Sequence, residues 1–180
     1  MYGMIHKAAR AFTIREHGEK RWDAIMSSQN LSDEIFISGR HFSDTKTVAL
    51  IGAIASELEV DIDDLLSGFG RYWIAFTAND DYGPALEMCG DDPLTFFHNL
   101  DDLHRGIKTA LPDARLPAFR VLHGDAERIE LLYQSEREGL ASFVTGLIEG
   151  VLNRFSQSGV VTWEQAPDGL IFSIQRTNAG

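Results

Sequence analysis

The spacing of apolar residues changes once along this chain, after Pro112, and this change constrains the fold more than any other feature. Before Pro112, apolar residues recur at three- and four-residue intervals, which is typical of helices that pack on a core. After it, the period falls to two in several short segments, which are interrupted by one further helical stretch from Leu140 to Phe155. The predicted strands are 119–122, 128–133, 160–163 and 170–174. Trp22, Ile25 and Met26 predict a short second helix, Asp61 is a candidate cap of a later helix, and Thr77 to Pro84 is expected to be a loop.

This order of elements predicts an α+β fold. We expect a helical N-terminal subdomain packed on a C-terminal subdomain of helices and an antiparallel sheet. Two turn signals support antiparallel pairing, since Gly124-Asp125 separates the first two predicted strands and Pro167-Asp168-Gly169 joins the last two. No repeat, low-complexity segment or linker is evident, so the sequence predicts a single domain over residues 1–180.

Charge and cysteine content exclude several classes of function. The 27 acidic and 16 basic residues give a net charge of -11. That balance argues against a nucleic-acid partner and against an anionic membrane surface, because both require a basic face. The single cysteine, Cys89, allows neither an internal disulfide nor a CxxC site. No apolar segment approaches the ~18–20 residues that span a bilayer, and we expect a cytoplasmic protein.

His104 is the first residue that could carry chemistry. Asp92-Pro93 predicts the N-cap and first residue of its helix, and Asn99 is a second candidate cap, which leaves a break in that helix open. A buried imidazole needs a partner for its nitrogen, and on spacing alone a hydrogen bond to the backbone is the more frequent arrangement. The alternative is an axial ligand to a haem iron, a role that histidines on helices commonly take.

Tyr133, Ser135 and Arg137 form the second candidate group. In an extended segment alternate side chains share a face, so two hydroxyls and a guanidinium would point the same way. This donor set suits a carboxylate, because arginine offers two parallel N–H donors and the hydroxyls reach the remaining lone pairs. The residues alone also allow the alternative, an exposed strand end with ordinary polar side chains.

Together these features resemble the haem nitric oxide/oxygen binding (H-NOX) domain, the family that includes the sensor domain of soluble guanylate cyclase. The resemblance lies in the initial MYGMI, in His104 within NLDDLHRGIK, in Leu116-Pro117 and in the Y-x-S-x-R pattern that begins at Tyr133. It covers nearly the whole chain and points to the stand-alone bacterial type.

The resemblance implies haem b, bound between the two subdomains. It implies that His104 is the proximal iron ligand and that Pro117 packs on the haem and helps to distort it. By the same resemblance, Tyr133, Ser135 and Arg137 would bind the haem propionates.

The resemblance also predicts gas selectivity. Oxygen-binding members place a tyrosine in the helix after the propionate-binding residues. This chain has none there, and Ser142, the nearest polar residue, is expected to bond its own helix. Ile5, Ala9 and Phe143 would form an apolar pocket that favours nitric oxide and carbon monoxide over oxygen. Trp73 could offer an indole N–H to this pocket, although core packing is its expected role.

The implied function is a haem-based nitric oxide sensor, not an enzyme. In the family, nitric oxide weakens the iron–histidine bond, and release of His104 would let its helix and the packing at Pro117 relax. We expect a separate partner, either a histidine kinase or a cyclic-di-GMP enzyme. Two alternatives stay open: a haem-free module that holds another apolar ligand, and a haem enzyme such as a peroxidase, which would need polar acid/base groups on the distal side.

Overall fold

The computed structural model describes residues 1–28, 36–79 and 82–177. The chain divides into two compact units, Met1–Leu65 and Leu66–Gly180. The first unit is helical, and the second combines helices with a four-stranded antiparallel sheet. The predicted α+β fold class is thereby confirmed. Within the described ranges, no helix has both the length and the apolarity needed to cross a membrane.

The first unit is built around apolar faces of its helices. The predicted second helix around Trp22 and Ile25 is present, and both side chains are buried. Asp61 caps the helix that follows it, because its carboxylate accepts the backbone N–H of Asp63 at 2.8 Å and that of Asp64 at 3.4 Å. The helices are α1 (Gly3–His17), α2 (Glu19–Ser28), α3 (Asp44–Leu58) and α4 (Ile62–Ala78), the last of which continues into the second unit.

The strands of the second unit are β1 (Ala118–Gly124), β2 (Arg128–Gln134), β3 (Ser158–Ala166) and β4 (Gly169–Thr177). They form one sheet in the order β1-β2-β4-β3. Both predicted hairpins are present. Residues 125–127 connect the first pair of strands, so that Gly124 is the last residue of its strand, and Pro167-Asp168 connects the last pair. The stretch expected to be a loop, Thr77 to Pro84, is helical at its two ends, because α4 continues to Ala78 and a five-residue helix begins at Gly83. Asp80 and Asp81, in the middle of that stretch, lie outside the described residues. A helix of five residues is too short to show a repeating apolar pattern in the sequence, so sequence reasoning did not predict it. The helices of this unit that follow α4 are α5 (Gly83–Glu87), α6 (Pro93–Ala110) and α7 (Ala141–Arg154).

One face of the sheet packs against α6 and α7 to form the core of the second unit. Each apolar side chain that leaves water there contributes about 1.5–3 kcal/mol to folding. The core residues come from alternate positions of the strands, as expected for a sheet covered on one face. They include Phe96, Phe97, Phe119, Ile129, Leu131, Val144, Ile148, Val151, Phe172 and Ile174.

Glycines allow α7 to approach α4 closely. A Cβ placed on Gly146 would overlap the carbonyl oxygen of Ser67, and one placed on Gly70 would overlap the carbonyl oxygen of Phe143. Both obstacles are backbone atoms, which cannot move aside as a flexible side chain can. The two helix backbones can therefore lie this close only because glycine has no side chain at these two positions.

We expect Gly146→Ala to lower the free energy of unfolding by about 1–3 kcal/mol, because overpacking forces the two helix backbones apart. Gly52→Ala is the matched control. Gly52 also lies inside a helix, but a Cβ there meets nothing within 4 Å, so the gain in helix propensity should raise stability by about 0.5–1 kcal/mol. Denaturant unfolding measures both. A Gly146→Ala variant as stable as wild type would contradict the close approach.

Candidate functional site

His104 lies on α6, a helix whose N-terminus is capped by a side chain. Asp92 is its N-cap and accepts the backbone N–H groups of Leu94 at 2.9 Å and Thr95 at 3.2 Å, with Pro93 in the first turn, as predicted. The break considered at Asn99 does not occur, since the helix runs unbroken to Ala110. The Asn99 side chain instead donates to the carbonyl oxygen of Cys89 at 3.1 Å, so it does not compete for the helix backbone.

A hydrogen bond orients the half-buried His104 ring. Its Nδ1 lies 2.9 Å from the carbonyl oxygen of Pro117, and the two residues are 13 apart in sequence. A carbonyl oxygen can only accept, so Nδ1 carries the proton and Nε2 bears the lone pair. An imidazole held in this way at one nitrogen is prepared to bind a metal at the other. The structure thus brings together two residues that the sequence analysis had singled out separately.

The protonation state of His104 suits the same role. Burial lowers the pKa of the His104 imidazole, while the hydrogen bond to Pro117 and the nearby Asp101 carboxylate partly oppose that shift. A lowered pKa favours the neutral ring at neutral pH, and only the neutral ring has a free lone pair. Asp101 also accepts the backbone N–H of Phe119 at 2.9 Å, which ties α6 to the start of β1 a second time.

Tyr133, Ser135 and Arg137 lie close together, but not along one strand. β2 ends at Gln134, and neither neighbouring strand extends beyond this level of the sheet. The first residue of β1, Ala118, pairs with Gln134, and β4 begins at Gly169, next to the residue that pairs with Tyr133. With no strand on either side, the chain turns. The expectation of simple alternation through all three residues is therefore wrong.

Short contacts nevertheless join these three residues into one group. Ser135 Oγ accepts the backbone N–H of Arg137 at 3.0 Å and shares a hydrogen bond with the Tyr133 side chain. Burial raises the pKa of Tyr133, although the Ser135 bond and the Arg137 charge oppose this. Tyr133, only 4 % exposed, therefore stays a neutral phenol with a proton to donate.

Arg137 also reaches the segment that holds Pro117. One of its terminal guanidinium nitrogens donates to the carbonyl oxygen of Arg115 at 2.6 Å, and the Arg115 side chain pairs with Glu136 at 3.5 Å. A cleft of about 300 Å³ opens beside these contacts. Its lining includes Asp101, His104, Arg105, Lys108, Arg115, Leu116, Pro117, Ala118, Ser135 and Glu136.

Sequence reasoning missed Asp101, Arg115 and Glu136. For Asp101 a signal existed, since it precedes His104 by three residues and so shares its helix face. The contact of Arg137 with Arg115 is a bond to the backbone between distant residues, which no sequence pattern marks. Among the described residues, no group of three or more His, Cys, Asp or Glu side chains could hold a metal ion.

Phe143 belongs to an aromatic cluster with Phe69 and Trp73. The Phe143 ring lies 5.5 Å from that of Phe69, which in turn meets Trp73 edge-on at 6.2 Å. Trp73 is half-buried and packs against the core of the second unit, as expected. Ser142 is half-buried in the first turn of α7, and Ile5 is half-buried on α1 of the first unit.

The chain matches a known family model and several animal proteins. The model described as Haem-NO-binding covers residues 2–162. Soluble guanylate cyclase gcy-31 of Caenorhabditis elegans is 25% identical over 161 residues, which are 89% of this chain and 23% of that protein. Soluble guanylate cyclase gcy-35 of the same organism is 28% identical over 165 residues, 89% of this chain and 24% of that one. The chain thus spans about a quarter of the length of these relatives.

Solved structures share the fold at low sequence identity. An Fe(II) unliganded H-NOX protein mutant from K. algicida is 24% identical, with a TM-score of 0.83, and the match covers 99% of this chain and 98% of that one. An H-NOX protein from S. oneidensis in the Fe(II) ligation state reaches a TM-score of 0.87 at 18% identity, with 99% and 97% covered. The resemblance drawn from the sequence is thereby confirmed.

Proposed function

This chain belongs to the haem-NO-binding (H-NOX) family of haem-based gas sensors, and we propose that it senses nitric oxide through haem b and is not itself an enzyme. The observation that carries the proposal is the hydrogen bond between His104 Nδ1 and Pro117, which leaves Nε2 free to ligate the iron. When bound, the haem supplies an iron atom that binds the gas. Everything else is done by residues of this chain.

The residues present fit a haem group. His104 offers one neutral imidazole nitrogen, which is the usual protein ligand of such an iron. Tyr133, Ser135 and Arg137 offer a phenol, a hydroxyl and a guanidinium, which match the carboxylate of a propionate. The shared bonds among these three side chains hold them together before any ligand arrives, so little ordering is needed on binding.

We propose that the pocket prefers nitric oxide and carbon monoxide to oxygen. Oxygen gains more than nitric oxide from a hydrogen-bond donor in the distal pocket. No tyrosine lies between Gly139 and Phe155, and Phe143 sits in an aromatic cluster. Trp73 is engaged in ring contacts with Phe69 and Phe76. The surroundings of Phe143 are therefore mainly apolar.

We propose that His104 would hold the iron and that loss of this bond would be the signal. The ring would stay tethered to Pro117, and Asp101 would still hold Phe119, so movement of α6 carries the start of β1 with it. Arg137 joins the same segment through Arg115. These bonds give one contiguous route from the iron ligand to the propionate-binding residues. A separate histidine kinase or cyclic-di-GMP enzyme is the partner that we propose to read this change.

We expect His104→Gly to abolish stable haem binding, because it removes the Nε2 ligand together with the Nδ1 hydrogen bond to Pro117. Added imidazole should restore binding, since it fits the space that the side chain leaves and again offers a nitrogen ligand. The visible spectrum of the purified ferrous protein measures the effect. His98→Gly is the matched control, since His98 lies on the same helix but is exposed. A His104→Gly protein with the wild-type ferrous spectrum would refute the ligand assignment. Wild type that takes up no haem would instead support a haem-free module.

We expect Arg137→Ala to speed haem loss about 10- to 100-fold, because a charge-assisted hydrogen bond contributes about 1.5–3 kcal/mol. Transfer of haem to an apo-globin scavenger gives the rate. Arg120→Ala is the control, because Arg120 carries the same charge but is exposed on β1 and has no proposed role in binding haem. Equal rates for wild type and Arg137→Ala would rule out the propionate role.

We expect the ferrous spectrum of wild type to be unchanged in air until the iron oxidises, and to change at once with nitric oxide. The reason is that few hydrogen-bond donors that could stabilise bound oxygen lie near Phe143. A stopped-flow record of the visible bands, first with air and then with nitric oxide, tests this directly. Split bands that form and persist in air would show a distal donor, and Trp73→Phe would then identify whether the indole supplies it.

A further inference from the structure

The two edges of the sheet are built differently. β1, at one edge, has an irregular register between Val121 and His123 and carries the cationic Arg120. Such irregularities and charges are common devices that keep an edge strand from pairing with another chain. β3, at the other edge, pairs with β4 without interruption from Ser158 to Ala166. It contains no proline, lysine or arginine, and Glu164 is its single charge.

The open edge also exposes apolar side chains. Val160 is 62% exposed and Trp163 is 49% exposed, and both rank among the most exposed large hydrophobic residues described. Along an edge strand, alternate residues direct their N–H and C=O groups away from the sheet, where a further strand can bond them. Within the described part of the chain, no strand covers the outer edge of β3, which therefore offers both backbone groups and apolar surface to a further strand.

The sequence of β3 is complementary to itself. If two copies pair antiparallel over their whole length, the strand centre, Thr162, must lie opposite Thr162 of the second copy. Trp163 then faces Val161 of the second copy, and Glu164 faces Val160. An aromatic residue opposite a β-branched one, and threonine opposite threonine, are favourable cross-strand pairs. No like charges meet, although the chain as a whole carries -11.

We propose that β3 is an interface between two copies of this chain, which join their sheets edge to edge through this register. We assign the edge to a second copy because pairing β3 with itself over its full length gives its outward backbone groups partners and places no like charges opposite each other. This inference does not rest on the proposed gas-sensing function, since it involves neither His104 nor the propionate-binding residues.

The test is the solution mass of the haem-loaded protein over a dilution series, by light scattering and sedimentation. Wild type should show twice the chain mass of 20.0 kDa at high concentration and dissociate on dilution. In the proposed register, Val160→Lys places a lysine opposite Glu164 at two symmetric points, whereas Val160→Glu places like charges there. We expect Val160→Lys to tighten the dimer about 2- to 30-fold and Val160→Glu to weaken it by a similar factor.

Leu122→Lys and Leu122→Glu are the matched controls, since Leu122 is 45% exposed on the protected edge. They report the general effect of changing the net charge and should alter the dissociation constant far less than the Val160 pair. Circular dichroism confirms that each variant is folded. A wild type with the mass of one chain at every concentration would overturn the proposal. So would a dimer on which Val160→Lys and Val160→Glu act alike, because another surface or another register would then be responsible.

Discussion

The hydrogen bond from His104 Nδ1 to the carbonyl oxygen of Pro117 is the interaction on which the rest of the site depends. It fixes the tautomer of the imidazole, and so decides which nitrogen can meet an iron. It also joins α6 to the start of β1. Because Asp101 holds Phe119 from the same helix face, two bonds resist any rotation of α6 against that strand. The imidazole and the residues that support it therefore move together.

The register of the sheet places the second half of the site beside the first. Phe119 pairs with Tyr133 across β1 and β2, so the strand that starts next to Pro117 lies directly against the strand that ends in Tyr133. A slip by one residue would turn Tyr133 to the opposite face of the sheet and separate it from the core. Gly169 supports the same register, because a side chain there would overlap the carbonyl oxygen of Tyr133. Backbone pairing thus brings the His104 imidazole and the Ser135 hydroxyl to one cleft.

Local signals in the sequence were sufficient for most of the fold. The Asp61 and Asp92 caps and both hairpin turns are short-range features, and each is confirmed. What sequence reasoning could not foresee depends on contacts between distant residues. β2 ends at Gln134 because neither neighbouring strand extends beyond that level of the sheet. Nothing in the identities of Ser135 and Arg137 predicts this end. The bond from Arg137 to Arg115 has the same origin.

The close packing of α4 against α7 determines the surroundings of Phe143 as much as its own aromatic ring does. Gly70 lets α4 lie against the carbonyl oxygen of Phe143, and Gly146 lets the next turn of α7 lie against Ser67. The Phe143 backbone is therefore held by contacts that leave no room for a side chain between the helices. Phe69 and Trp73 project from the same α4 into one aromatic cluster with Phe143. A polar group introduced into this cluster would have to displace rings whose backbones cannot move apart. The apolar character of the cluster is therefore a property of two packed helices and not of one side chain.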